Sequence, residues 1–297
     1  MGRRKRQEAA FVSLQRQTMK HFELNWQNKD GLDFYVQGWE PEKKPRAVIA
    51  LVHGFGEHTG RYAHVGEAFN KAGYVLIGFD LRGHGKSGGA RGHTPSYDVL
   101  MDDIADFIKL IAKRYPGLPR FLYGHSMGGN QVLNFCLRRK PDVIGVIATG
   151  PWLKLAFDPP PLQIALGKAM NNIAPGFAQK STMDNAALSH DPKIVDAYNN
   201  DPLVHSKISA RLFISIYGSG LWALDHAGEF SIPLLLMHGT ADRVTSYTAS
   251  AEFAKRAGKI VTWLPWDGLY HEIHNEPEKA EVMEFMINWL DAQLKKK

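Results

Sequence analysis

Arg120-Phe-Leu-Tyr-Gly124-His125-Ser126-Met127-Gly128-Gly129-Asn130 is the stretch on which the fold turns. It reads as the end of an apolar strand, a sharp turn and the start of a helix. Gly124, Ser126 and Gly128 fit G-x-S-x-G, the pattern of a strained strand-to-helix turn that lifts a serine above a sheet edge. A side chain at either flanking position would meet the adjoining strand or helix. The serine then stands at a helix N-terminus, where free backbone N–H groups can face a developing oxyanion. In a chain with 28 glycines the pattern alone is weak, and the strand before it and the helix after it carry the reading.

Outward from this turn the chain alternates strand and helix. Upstream, Phe22, Leu24 and Trp26 alternate, Asn28-Lys-Asp-Gly31 turns, and Leu32, Phe34 and Val36 alternate again, which predicts a hairpin with an exposed face. Ala47-Val-Ile-Ala-Leu-Val-His53 is apolar on both faces, as a buried parallel strand requires. A helix over about 61–72, a strand at 74–79 and a glycine-rich loop at 80–89 follow. The next helix, 97–115, carries Leu100, Ile104, Phe107, Ile108 and Ile111 on one stripe. Beyond the serine, a helix to Lys140 leads to a strand at 143–148. The rhythm breaks at Gly150-Pro151 and returns with a strand at 232–237, a helix at 246–257, a strand at 259–264 and a last helix from Pro277 to Gln293.

This pattern predicts an α/β fold, a mostly parallel central sheet flanked by helices. The core comprises 21–150 and 231–294. Residues 151–230 form an insertion, expected to be helical and to lie as a cap over the ligand crevice, because it leaves the sheet at a strand's C-terminal end. Residues 1–20 read as a basic N-terminal extension with a short helix near 9–14. There are no internal repeats and no low-complexity segments.

Composition narrows the function classes. The net charge of +6 is concentrated at the ends: residues 1–20 carry net +5 and Lys295–Lys297 add +3, leaving the body at −2. Nucleic acid is therefore not an expected partner. The single cysteine, Cys136, lies in an apolar helical stretch and reads as a buried, inert thiol. No signal-type apolar region follows the basic start and no run approaches a membrane span, so a cytoplasmic location is expected. There is no C-x-x-C pair and no H-E-x-x-H. No metal or other cofactor is expected.

A serine hydroxyl needs a base to take its proton and an acid to orient that base. On a parallel sheet these partners stand in loops after later strands. Asp242 follows the 232–237 strand and His271 follows the 259–264 strand. The order Ser126, Asp242, His271 is that of an α/β-hydrolase. Asp225 and Asp267 are rivals for the acid, and His274 competes with His271 three residues away. Asp242 and His271 are preferred, the histidine because it is nearer its strand end. His53-Gly54-Phe55-Gly56 follows the first buried strand, so the backbone N–H groups of Phe55 and Met127 are the candidate oxyanion donors.

The set His53-Gly-Phe-Gly-Glu57-His58 through Gly60-Arg61-Tyr62, Asp80-Leu-Arg-Gly-His-Gly-Lys-Ser87, Gly124-His-Ser-Met-Gly-Gly129, His238-Gly-Thr-Ala-Asp242-Arg-Val244 and Tyr270-His271-x-x-His274 resembles the monoacylglycerol lipases, serine hydrolases grouped with bacterial lysophospholipase-like enzymes. The resemblance spans about 20–294 and is poorest in the insertion. It implies the α/β-hydrolase fold and the Ser126, Asp242 and His271 triad. It implies that Glu57, Arg61 and His274 border a polar pocket for the glycerol head group. It also implies a cap holding the acyl chain and a monoacylglycerol or similar lipid ester as ligand. The insertion's own apolar residues, among them Trp152, Phe157, Leu162, Ile164 and Phe213, suit transient contact with a membrane or micelle. A broader carboxylesterase or lysophospholipase on the same fold is the alternative.

Overall fold

The computed structural model describes residues 19–296. The expected helix near 9–14 lies outside them. In chain order, β1 (Lys20–Gln27) and β2 (Asp33–Glu40) form the hairpin. Then β3 (Ala47–Val52), α1 (Ala63–Lys71), β4 (Tyr74–Phe79), α2 (Tyr97–Arg114), β5 (Arg120–His125), α3 (Met127–Arg139) and β6 (Gly145–Thr149) alternate. The insertion holds α4 (Pro161–Ile173), β7 (Ala178–Lys180), α5 (Pro192–Asn200), β8 (Lys207–Ser209) and α6 (Ala210–Asp225). The chain returns through β9 (Leu234–Gly239), α7 (Tyr247–Ala257), β10 (Val261–Trp266) and α8 (Lys279–Leu294).

Eight strands form one sheet in the order β1-β2-β4-β3-β5-β6-β9-β10. β1 and β2 pair antiparallel, as do β2 and β4; every pairing from β4 to β10 is parallel. This is the α/β-hydrolase architecture. Strand alternation divides the core in two. On one face Val48, Ala50 and Val52 of β3 join apolar residues of α2, α3, α6 and α7. On the other, Ala47, Ile49 and Leu51 join α1 and α8. A strand covered on both faces has no polar positions, which is why β3 reads as an unbroken apolar run. The same covering buries β2, so the exposed face of the hairpin belongs to β1 alone.

Two features of the insertion differ from the helical expectation. β7 and β8 pair antiparallel as a small separate ribbon of three residues each, too short to show a strand period. α6 is part of the core: Leu212, Ile216, Ala223 and Leu224 are buried in the first cluster. Buried amides tie it to the serine's helix. Asn130 on α3 donates to the carbonyls of Trp152 and Ile216, and Asn134 donates to that of Ser219. By contrast, α4 buries no residue.

The crossing of α3 over β3 is close enough to exclude a β-carbon at Gly128, which would fall on the Val52 and His53 carbonyl oxygens. Backbone atoms cannot yield as a flexible side chain would. Gly128→Ala should therefore destabilise the fold by about 1–3 kcal/mol or more, the usual cost of overpacking. Denaturant unfolding measures this, and stability equal to that of the parent would contradict the packing described.

Candidate active site

Ser126 joins β5 to α3 with φ 53°, ψ −116°, a left-handed backbone that is rare for a residue with a β-carbon. Such conformations cost on the order of 1–3 kcal/mol and persist only where the surroundings over-determine them. Here the Ser126 N–H donates to the Thr149 carbonyl at 3.0 Å, and its own carbonyl accepts from Asn130 at 3.0 Å and Trp152 at 2.9 Å. The turn is thus pinned to β6, α3 and the start of the insertion. Met127 is the first residue of α3, so its N–H belongs to the helix turn that lacks intrahelical acceptors. The loop after β3 runs against the serine: a β-carbon on Gly54 would lie 3.3 Å from Ser126 Cβ. Phe55 follows, lining the same cavity as Ser126.

Ser126, His271 and Asp242 meet. The Ser126 hydroxyl lies 2.9 Å from His271 Nε2, and His271 Nδ1 lies 2.7 Å from Asp242 Oδ2. A carboxylate only accepts, so Nδ1 carries the proton and Nε2 is free to accept from the serine. All three are buried. Burial alone would raise the Asp242 carboxyl, but the charge of His271 and hydrogen bonds from His238 and His271 hold it well below the usual carboxylate range. Its Oδ1 accepts the N–H groups of Val244 at 2.7 Å and Thr245 at 3.0 Å. Burial would lower His271, yet the Asp242 charge and hydrogen bond, with Glu272 and Glu57, raise it above its ordinary value.

The rival acids stand elsewhere. Asp225 pairs with Arg256 at the surface, and Asp267 accepts from the Thr240 hydroxyl in an exposed loop. The head-group expectations divide. Glu57 lines the cavity; Arg61 and His274 do not. A 3-10 turn at Ile273–Asn275 carries His274 inward, stacked on Tyr62 at 5.0 Å and edge-on to His125 at 4.7 Å between ring centroids. Arg61 is buried behind two carboxylates, donating to Glu57 at 2.7 Å and in bidentate fashion to Glu272 at 2.6 and 2.7 Å. Glu272, which lines the cavity, escapes the sequence reading. The available signal was an acid directly following the candidate histidine. Arg61 and Asn275 hold its carboxyl down, at about 2, against the opposing effect of burial.

From Ser126 a cavity of about 620 Å³ extends under the insertion. Its inner end is polar, with Glu57, His125 and Glu272. Its wall also carries apolar Trp152, Leu155, Ile164, Leu166, Met170 and Phe213, with Lys180, Asp184 and Arg243 among the polar lining residues. His125 is pushed well below its ordinary value by burial and by the neighbouring His271 and Arg61, so it is neutral. Beyond the cavity, α4 and its flanks expose Phe157, Leu162, Leu166, Ile173 and Phe177, with Ile173 at 79% and Leu162 at 71% of full exposure. The described residues contain no helix long and apolar enough to cross a membrane, and no cluster of three or more metal-binding side chains. Cys136 is buried, and burial pushes its thiol well up, so it is inert.

Residues 43–278 match the Hydrolase_4 family, described as "Serine aminopeptidase, S33". The chain is 35% identical over 266 residues to the monoacylglycerol lipase of Mycolicibacterium smegmatis, covering 89% of this chain and 95% of that protein. It is also 35% identical over 263 residues to an uncharacterized abhydrolase domain-containing protein of Dictyostelium discoideum; that match covers 87% of this chain and 28% of the larger protein. Among solved structures, the Paleococcus ferrophilus monoacylglycerol lipase superposes with a TM-score of 0.79 at 33% identity, over 93% of this chain and all of that one.

Two outcomes follow from the Ser126, His271 and Asp242 geometry. A base must be neutral to take the serine proton, and His271 is raised, so ester cleavage is lost as pH falls through a value above 6.5. The acid limb of kcat/KM against pH reports that value. Asp242→Asn reverses the hydrogen bond to Nδ1 and should lower kcat by roughly 10³–10⁴-fold with the fold intact; near-normal turnover would remove Asp242 from the relay.

Proposed function

The chain belongs to the Hydrolase_4 serine-hydrolase family, and we propose that it is a serine ester hydrolase that cleaves monoacylglycerols to fatty acid and glycerol. One observation carries the proposal. Ser126, hydrogen-bonded to His271, opens into a cavity that holds both the polar Glu57 and Glu272 and many apolar side chains, so an ester between an acyl chain and a small polyol would have its reacting carbon at the serine.

In this reading Ser126 Oγ attacks the carbonyl carbon while His271 Nε2 takes its proton. Negative charge develops on the carbonyl oxygen, and the N–H groups of Phe55 and Met127 face it. His271 gives the proton to the departing glycerol oxygen. It then takes one from water as the water attacks the acyl-enzyme, and returns it to Ser126 as the fatty acid leaves. Asp242 keeps Nδ1–H directed and offsets the imidazolium charge.

The polar recess favours a neutral polyol. Glu57 and Glu272 are acceptors, and the Arg61 cation is already shared between them. These three groups sum to −1, and Arg243 on the cavity wall donates to the Ala186 carbonyl and stacks on Tyr270, so the recess formed by the trio favours hydroxyl donors over a phosphate. That distinction favours monoacylglycerol over a lysophospholipid. The insertion is proposed as the cap, with α4 as the element that meets a membrane or micelle. Its apolar side chains are too exposed to serve the core, and an amphipathic helix with such a face lies in a lipid interface. The single buried cysteine fits a cytoplasmic enzyme that meets lipid at a surface.

A substrate panel tests the reading. Long-chain monoacylglycerols should be hydrolysed well, lysophosphatidic acid at least tenfold more slowly, and aminoacyl anilides not at all; preference for the anilides would overturn it. Ser126→Ala should abolish turnover, and a residual rate above about a hundredth of the parent would exclude Ser126 as nucleophile. Replacing Leu162 and Ile173 together with Asp should slow hydrolysis of micellar monoacylglycerol about tenfold and spare a short soluble ester. Equal losses on both substrates would argue against interfacial docking.

A further inference from the structure

His238, the fifth residue of β9, is completely buried, and the chemistry above does not use it. Its Nε2 lies 2.9 Å from Asp242 Oδ2, the oxygen that also accepts from His271. The other atoms near Nε2 are the Thr245 carbonyl at 3.3 Å and the Thr245 hydroxyl at 3.4 Å. The Thr245 hydroxyl has its own acceptors, Asp242 Oδ2 at 2.9 Å and the Gly150 carbonyl at 3.0 Å. Nε2 is therefore surrounded by acceptors and must carry the proton. Nδ1 is then the lone-pair side, 2.8 Å from the Ser250 hydroxyl of α7, which donates to it. His238 thus stands between Ser250 of α7 and Asp242, its Nε2–H shared between the Thr245 carbonyl and Asp242 Oδ2.

We propose that His238 is a positioning residue of the active site, acting through Asp242. Its Nε2–H, close against Oδ2, holds the rotamer of the carboxylate and draws part of the charge on Oδ2 away from His271. The i, i+4 spacing of His238 and Asp242 is produced by the tight loop after β9. The proposal rests on reading Ser126, His271 and Asp242 as the triad. With the His238 donor gone, Oδ2 would attract the His271 proton more strongly. The acid limb of kcat/KM would then move upward, and the carboxylate, less firmly held, would orient His271 less well. The titratable groups facing His271 are Asp242, Glu272, Glu57 and His125. Those facing His238 are Asp242 and Tyr247, the latter 6.1 Å away between ring centroids. Asp242 is common to both sets, so it couples the two histidines.

The experiment uses the full chain. Labelling of the wild-type serine with a fluorophosphonate comes first, and its failure would count against the triad itself. Given labelling, His238→Leu should reduce kcat roughly tenfold with little change in KM and raise the acid limb by about half a pH unit. His238→Gln, whose carboxamide can donate to Oδ2, should restore both to near the parent. A purely structural histidine would lose thermal stability in both variants and leave the acid limb where it was, which overturns the proposal. A measurement on the wild type covers a His238→Leu variant that fails to fold. Imidazole ¹H–¹⁵N spectra should show two exchange-protected N–H groups, one from each histidine, and both should move when Ser126 is phosphonylated. A single responding signal would equally overturn it.

Discussion

Ser126 keeps its left-handed backbone only because three neighbouring segments hold it. Thr149 of β6, Asn130 of α3 and Trp152 of the insertion each bond to its peptide groups. The strain of on the order of 1–3 kcal/mol is small beside the packing that opposes relaxation. In return, the hydroxyl stands clear of the sheet and the first N–H groups of α3 are left open. The other site residues are placed relative to this point by the parallel sheet. β3 ends at the loop of Gly54 and Phe55, β9 precedes Asp242, and β10 precedes His271. Parallel strands bring their C-terminal loops to one edge, so residues more than 200 positions apart converge without any long-range search by flexible segments.

The second constraint is electrostatic. Glu57 and Glu272 are buried charges and Arg61 a largely buried one, and burying them is costly unless each is paired and hydrogen-bonded. Here every carboxylate oxygen is used. Glu57 accepts from the Gly54 N–H, the Tyr62 hydroxyl and Arg61, while Glu272 accepts from Arg61 and Asn275. The network therefore also holds the loop of Gly54 and Phe55 in place. It links that loop to the residue next to His271, so the recess and the histidine loop share one hydrogen-bond network.

The insertion plays two physical roles in one continuous stretch. α6 covers the sheet and is bonded to α3 through Asn130 and Asn134. α4 lies outside, contributing cavity wall on one side and exposed apolar surface on the other. A further part of the insertion braces the histidine loop. Buried Glu276 accepts the Tyr270 N–H together with the His190 N–H and the Ser189 hydroxyl, and the Glu272 N–H donates to the Leu188 carbonyl. The segment that surrounds the cavity is thus fastened to the loop that carries His271.

By itself the amino-acid sequence determined the order of strands and helices, because buried parallel strands are continuously apolar and their helices carry 3.6-residue stripes. The serine turn was legible from its glycines, and the Asp242 and His271 that meet it from their places after later strands. Leu162 and Ile216 look alike in sequence, and so the split of the insertion between surface and core was not legible. Three-residue spacing could not say that His274 turns away from the cavity, nor that Arg61 sits behind Glu57 and Glu272. Only the tertiary structure decided these, and with them the second imidazole on Asp242, because each depends on which side chains from distant segments share a dry volume. Local sequence encodes period and turn chemistry; contacts between segments appear only when the sheet has closed.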